Sequence, residues 1–123
     1  MTGTVVVTGA AGFIGRWVVK ELLERDFEVR GLDDLSNGSH RNVAEFDSYE
    51  RFDLTVGDIA EDGVVSDLLD DETDACIHLA AEIDVQESLD DPHSHFKTNV
   101  VGTERVLDAC LETDTRLGLV GTC

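Results

Sequence analysis

Three glycines, Gly9, Gly12 and Gly15, stand three residues apart directly after the apolar run Val5-Val6-Val7, in the segment TGAAGFIG from Thr8 to Gly15. Helical spacing of apolar residues begins as the glycines end, so the segment predicts a buried strand turning at once into a helix. Each glycine has a use in such a turn: a sharp exit from the strand, a close backbone approach to a ligand, and close packing of helix on sheet. The helix start also presents free N–H groups and the positive end of a dipole, which suit a pyrophosphate. Asp33, 24 residues after Gly9, closes the next apolar run, where a dinucleotide fingerprint places its acidic residue.

Five apolar runs read as strands: Thr4 to Thr8, Glu28 to Leu32, Arg51 to Val56, Ala75 to Ala80 and Arg116 to Val120. Between the first two, Phe13, Ile14, Trp17, Val18, Leu22 and Leu23 recur at helical spacing opposite Arg16, Lys20, Glu21 and Glu24. Trp17 is expected to anchor that helix in the core. A second helix is expected through Val64, Val65, Leu68 and Leu69. A third runs from about Ser94 to Glu112, with Phe96, Val100, Val101, Val106, Leu107 and Cys110 inward and Pro92 just before it. Strands alternating with helices imply an α/β fold with a parallel sheet and right-handed crossovers. The polar stretch from Asp34 to Asn42, with Asn37-Gly38 inside it, reads as a loop.

The 123 residues suit one domain with a core of its own. Twenty-seven acidic against nine basic residues give a net charge of −18, which excludes nucleic acid and anionic membranes as natural partners. The acids fall in pairs and triplets between apolar segments, as in Asp70-Asp71-Glu72, and not in one block. So even a spread, with so little lysine, points to a protein of a high-salt, halophilic cytoplasm, where self-repulsion is screened. Cys76, Cys110 and Cys123 form no CxxC pair, and the expectation is core thiols. Met1-Thr2-Gly3-Thr4 leads straight into the first strand with no signal peptide, and no run is long enough to span a membrane; a cytoplasmic location is expected.

Asp33 at a strand end can accept both hydroxyls of an adenosine ribose and would repel a 2′-phosphate, and no cation follows closely, so NAD is expected in place of NADP. Asp58, in Gly57-Asp58-Ile59, lies at the end of the third strand, from which it can be presented to the adenine. His78 falls within the fourth strand and reads as a satisfied core histidine. His40, His93 and His95 make no metal constellation, and no serine or cysteine has a histidine placed near it by sequence; no metal and no nucleophile are assigned.

TGAAGFIG, LDDLSNG from Leu32, GDI from Gly57, HLAA from His78 and ESLDDPHSHFKTNVVGTERVLDAC from Glu87 to Cys110 together resemble the extended short-chain dehydrogenase/reductase family, the NAD-dependent epimerases and dehydratases of nucleotide sugars. LDDLSNG and VQES, from Val85, look most like its UDP-glucose 4-epimerases. The resemblance implies a Rossmann-type sheet of order 3-2-1-4-5 and NAD as cofactor. It would place Phe13 and Ile14 along the pyrophosphate, and Asp33, Asp34, Leu35, Ser36, Asn37 and Gly38 around the adenosine ribose. Asp58 and Ile59 would flank the adenine, Leu79, Ala80 and Ala81 would line the nicotinamide side, and Asn99 would organise the centre.

Two features depart from the family. Glu82, Ile83 and Asp84 stand where 4-epimerases often have a lysine, and the serine or threonine followed by a YxxxK pair, which supply proton transfer, are not visible. The single tyrosine, Tyr49, has Asp53 four residues on, and Thr122 is at best near the catalytic hydroxyl. The expectation is therefore an incomplete NAD-binding Rossmann domain over residues 1–123, truncated before the catalytic and sugar-binding parts and inactive alone. A nucleotide sugar would be a partner only of a full-length relative. The alternative is a non-catalytic NAD-binding sensor or interaction module. A bare sheet edge at the fifth strand would be the route to a homo-oligomer.

Overall fold

The computed structural model describes residues 3–35, 39–61, 63–70, 72–79, 102–113 and 115–119. The strands are β1 (Thr4–Thr8), β2 (Glu28–Asp33), β3 (Phe52–Val56), β4 (Thr73–His78) and β5 (Arg116–Leu119). The helices are α1 (Phe13–Glu24) and α2 (Gly102–Thr113), and short 3-10 turns occupy His40–Asn42, Ala44–Phe46 and Ser66–Leu68. All strand pairs are parallel, in the order β3-β2-β1-β4-β5.

β1 is central, and all five of its residues are buried. Its side chains alternate between two cores, as a strand covered on both faces requires. Val5 and Val7 join Val19 and Leu23 of α1, Val29, Val43, Phe46 and Phe52; Val6 joins Leu32, Ile59, Val65, Cys76 and Val106, Ala109 and Cys110 of α2. α1 and α2 thus cover opposite faces. Each fully buried valine or leucine contributes about 1.5–3 kcal/mol of burial, so the two cores fix both register and layer order. Cys76 and Cys110 are buried thiols, and burial raises the pKa of both.

Several boundaries and faces differ from expectation. β2 extends to Asp33, and β4 begins at Thr73, two residues before the apolar run, and ends at His78. The register slips between Thr4↔Thr73 and Val5↔Ala75, and Asp74 Oδ2 there accepts the Thr4 N–H at 2.8 Å. That side-chain bond extends the strand beyond its hydrophobic part.

The buried line of α1 is Gly15, Val19 and Leu23; Phe13 is 78% and Trp17 47% exposed, so Trp17 is not a core anchor. Arg16 Cζ and Lys20 Nζ lie 5.0 and 5.3 Å from its ring centroid, so cations cover it. The expected second helix is only the 3-10 turn Ser66–Leu68. Gly63 (φ 84) stands before it, and Asp70 after it accepts from the Glu72 N–H and the Thr73 hydroxyl, leaving too few residues for stable α-helix. α2 occupies Gly102–Thr113, and Ser94, Phe96, Val100 and Pro92 lie outside the described residues. No helix among the described residues is long and apolar enough to cross a membrane.

Candidate functional site

The sheet order reverses direction on either side of β1: β2 and β3 lie to one side, β4 and β5 to the other. At the C-terminal ends of such strands a crevice opens at the switch point, which is where ligands of open parallel sheets bind. Thr8, Asp33 and His78 are the last residues of β1, β2 and β4, and the glycine turn leaves from Thr8.

Gly9 holds φ at 72°, in the left-handed region, and its N–H donates to Leu32 O at 2.7 Å. The chain then folds back, with Gly12 N donating to Gly9 O at 3.2 Å and Arg16 N to Gly12 O at 3.0 Å. At Gly15 a Cβ would overlap Gly9 O and stand 2.8 Å from Ala10 C and O, so only glycine lets α1 start this close to the turn. Gly12 differs, because a Cβ there would meet only Gly9 O, at 3.4 Å. Space, not packing, is what its missing side chain leaves. Gly12 is also the N-cap of α1, no side chain caps that end, and no acid lies in the first turn, so the helix start is electrostatically prepared for an anion. Phe13 and Ile14 stand exposed beside it.

Asp33 is 7% exposed. Its Oδ2 accepts the Ala11 N–H at 2.9 Å and its Oδ1 the Leu35 N–H at 2.8 Å, so one carboxylate ties the glycine turn to the start of the loop after β2. Burial pushes its pKa up, while these two amides pull it down and the neighbouring Asp34 adds a further upward push. Asp34 is exposed, and Leu35 is held at φ 64°. Each carboxylate oxygen has two lone pairs, so Asp33 keeps acceptor capacity for hydroxyl groups.

Gly57 N donates to Asp33 O at 3.1 Å, bringing the GDI segment to the same edge. Asp58 Oδ1 accepts the Ala60 N–H at 2.8 Å, a local turn that fixes the carboxylate. The Ile59 side chain is buried in the core with Val6 and Leu32, so toward the crevice it has only backbone to offer. Across β1, Leu79 N donates to Thr8 O and to Thr8 Oγ1, both at 3.0 Å, and Thr8 Oγ1 lies 2.6 Å from His78 Nδ1. His78 is the buried, partnered histidine expected of it, and burial lowers its pKa.

The structure therefore gathers Gly9, Gly12, Phe13, Ile14, Gly15, Asp33, Asp34, Leu35, Asp58, Ile59 and Leu79 at the C-terminal edge of the sheet. Ser36, Asn37, Gly38, Ala80, Ala81 and Asn99 lie outside the described residues. Tyr49 is in an exposed turn before β3, its ring edge-on to Phe46 at 6.1 Å between centroids. No group of three metal-ligating side chains occurs among the described residues. Ser39 and Asn42, neither of them singled out by motif, and the hydroxyl of Thr8, the residue that opens the glycine motif, supply hydrogen bonds that hold the turn. Their partners lie far off in sequence, so no local pattern marks these bonds.

Residues 5–123 match the family described as the NAD dependent epimerase/dehydratase family. UDP-glucose 4-epimerase of Mycolicibacterium smegmatis is 40% identical over 104 residues, 85% of this chain and 33% of that protein. dTDP-glucose 4,6-dehydratase of the same organism is 39% identical over 120 residues, 95% of this chain and 35% of that protein. The solved structure of UDP-glucose 4-epimerase from Brucella ovis in complex with NAD superposes with a TM-score of 0.84 at 32% identity, covering 98% of this chain and 36% of that one. The chain spans about a third of the length of the curated relatives it matches. With the motif order, the sheet order and the glycine turn in agreement, this chain belongs to the NAD dependent epimerase/dehydratase family.

Proposed function

We propose that the chain binds NAD across the C-terminal edge of β1, β2 and β4, as the cofactor-holding part of a nucleotide-sugar epimerase or dehydratase. One juxtaposition carries the reading: the uncapped, acid-free start of α1 and the buried Asp33 carboxylate meet at a single glycine turn. The pyrophosphate lies over Gly9, Gly12 and Gly15 with Phe13 and Ile14 beside it, and Asp33 accepts the adenosine ribose hydroxyls. Asp34 to Gly38 close around that ribose, Asp58 and the Ile59 backbone flank the adenine, and Leu79 to Ala81 with Asn99 serve the nicotinamide side. NAD, when bound, supplies a hydride acceptor. The chain's own residues orient it and exclude the phosphorylated cofactor.

The matched relatives are about three times as long, and no YxxxK pair occurs in these 123 residues. By themselves these residues act as an NAD-binding unit and do not turn over a nucleotide sugar. The net charge of −18 supports a working environment of concentrated salt.

Calorimetry with NAD and NADP in high salt tests the reading. NAD should bind the tighter of the two. Asp33→Ala should weaken NAD about 10- to 100-fold, as expected for hydrogen bonds to a charged group worth about 1.5–3 kcal/mol, and erase most of the discrimination. Equal affinity for both cofactors in the unmodified chain would remove Asp33 from the ribose site.

A further inference from the structure

The carbonyl oxygen of Ala11 is held from outside the glycine turn. Asn42 Nδ2 donates to it at 2.7 Å and the Ser39 N–H at 3.1 Å. This oxygen belongs to the peptide joining Ala11 to Gly12, and the other end of that peptide, Gly12 N–H, donates to Gly9 O at 3.2 Å. Both polar atoms of one peptide plane are therefore fixed. The plane lies immediately before the first N–H groups of α1, so its orientation sets where those groups point.

The support behind Asn42 is firm. Asn42 N donates to Ser39 O at 2.9 Å, and Ser39 Oγ accepts from Arg41 N at 3.2 Å, which closes the 3-10 turn. The next residues anchor it: Val43 and Phe46 are buried in the α1-side core. Arg16 Nε and Nη2 reach Glu45 Oε1 at 2.9 and 2.7 Å, tying the same segment to α1. Ala11 itself is wholly buried, and the Asn42 amide that reaches its oxygen is half-buried.

We propose that Asn42 is a positioning residue for the pyrophosphate: it holds the Ala11–Gly12 peptide so that the N–H groups opening α1 converge on the phosphates. The proposal rests on the NAD reading above. It assigns Asn42 no contact with the cofactor, and its effect falls on ligands that carry a pyrophosphate. Asn42→Ala leaves the Ser39 N–H, among the described donors, alone on Ala11 O, so the peptide is held less firmly. Asn42→Asp keeps the size of the side chain but replaces the donor with an oxygen facing a carbonyl oxygen.

The test compares NAD, ADP and adenosine on the 123-residue chain, with calorimetry for the first two, ligand-observed NMR for adenosine, and thermal melting to follow the fold. Asn42→Ala should weaken NAD and ADP about tenfold, equivalent to about 1.4 kcal/mol, and change adenosine less than twofold. Asn42→Asp should weaken NAD and ADP more than Asn42→Ala does. Asn42→Ser, which retains a donor of shorter reach, should fall between the alanine variant and the unmodified chain, and it carries the test if the alanine variant fails to fold. Equal losses for ADP and adenosine, or no loss for either, overturn the positioning role. An unmodified chain that binds neither NAD nor ADP overturns the NAD reading itself, which is a different result.

Discussion

At the scale of single residues, the site divides by whether a side chain's task can be read from its neighbours in sequence. Asp33 and the glycines are legible because a strand end and a fixed glycine spacing constrain them locally, and the structure finds them at one edge. Thr8 and Asn42 are not, since their partners lie 70 and 31 residues away, and threonine and asparagine occur in any turn. His78 falls between: its place in a strand predicts a satisfied histidine, but only the fold shows the satisfying group to be Thr8, 2.6 Å away. Burial holds the His78 pKa below its ordinary value of 6.5, so the fold favours the neutral ring. Stability from this residue is then fully present above pH 6.5 and is lost as pH falls from there through the depressed folded value, because the unfolded chain takes up the proton first. One such group contributes a slope of at most about 1.4 kcal/mol per pH unit. Urea melts between pH 7.5 and 5 should show stability falling with pH, and His78→Gln should flatten the curve. An unchanged slope in the variant would assign the pH response to other groups.

At the scale of elements, α1 shows where pattern reading stops. Apolar periodicity counts Phe13, Ile14 and Trp17 toward the core, yet the helix meets the sheet along Gly15, Val19 and Leu23. A glycine carries no hydrophobic signal, so apolar periodicity passes over Gly15, and it is the glycine spacing that marks it as the point of close helix–sheet packing. The segment 64–69 errs the other way, since apolar content predicts helix there while the flanking Gly63 and Asp70 turns leave no length for one. The strands, by contrast, are legible to within a residue or two: β1 is buried at every residue, and β2 and β3, which mix apolar with polar residues, still carry short runs of strand-forming side chains between turn signals. Two substitutions in α1 separate the structural face from the periodic one. Gly15→Ala should cost about 3 kcal/mol or more, because its Cβ would drive into the backbone of Gly9 and Ala10, which cannot move without breaking the turn. Trp17→Ala should cost about 1 kcal/mol, well short of the roughly 3–5 kcal/mol of a core tryptophan, because the ring is half exposed under Arg16 and Lys20. Denaturant midpoints decide the matter, and a larger loss from Trp17→Ala than from Gly15→Ala would reverse the assignment of faces.

At the scale of the whole molecule, charge is the property that the fold leaves least compensated. Of the nine lysines and arginines, Arg16, Lys20, Arg25, Arg30 and Arg51 already pair with Glu45, Glu24, Glu21, Asp70 and Asp26. These contacts are mostly exposed, so each adds little, and the excess of carboxylates remains. In dilute buffer the Debye length is tens of ångströms at about 0.01 M, comparable with the domain, and repulsion acts across the entire surface; at 1 M it is about 3 Å and only neighbours interact. The folded state, being the more compact, gains most from this screening. Thermal unfolding should therefore move upward by at least about 5 °C between dilute buffer and molar potassium chloride, the shift that about 1 kcal/mol produces in a domain of this size. Salt also strengthens apolar burial, so the electrostatic origin needs its own control. Glu50, Asp53 and Glu72 are exposed, and replacing them together with Gln, Asn and Gln removes three negative charges without touching either core. If repulsion limits stability, this variant should melt higher than the unmodified chain in dilute buffer and gain less from salt. A variant with the same salt response as the parent would place the effect in apolar burial and leave the acidic surface as a matter of solubility.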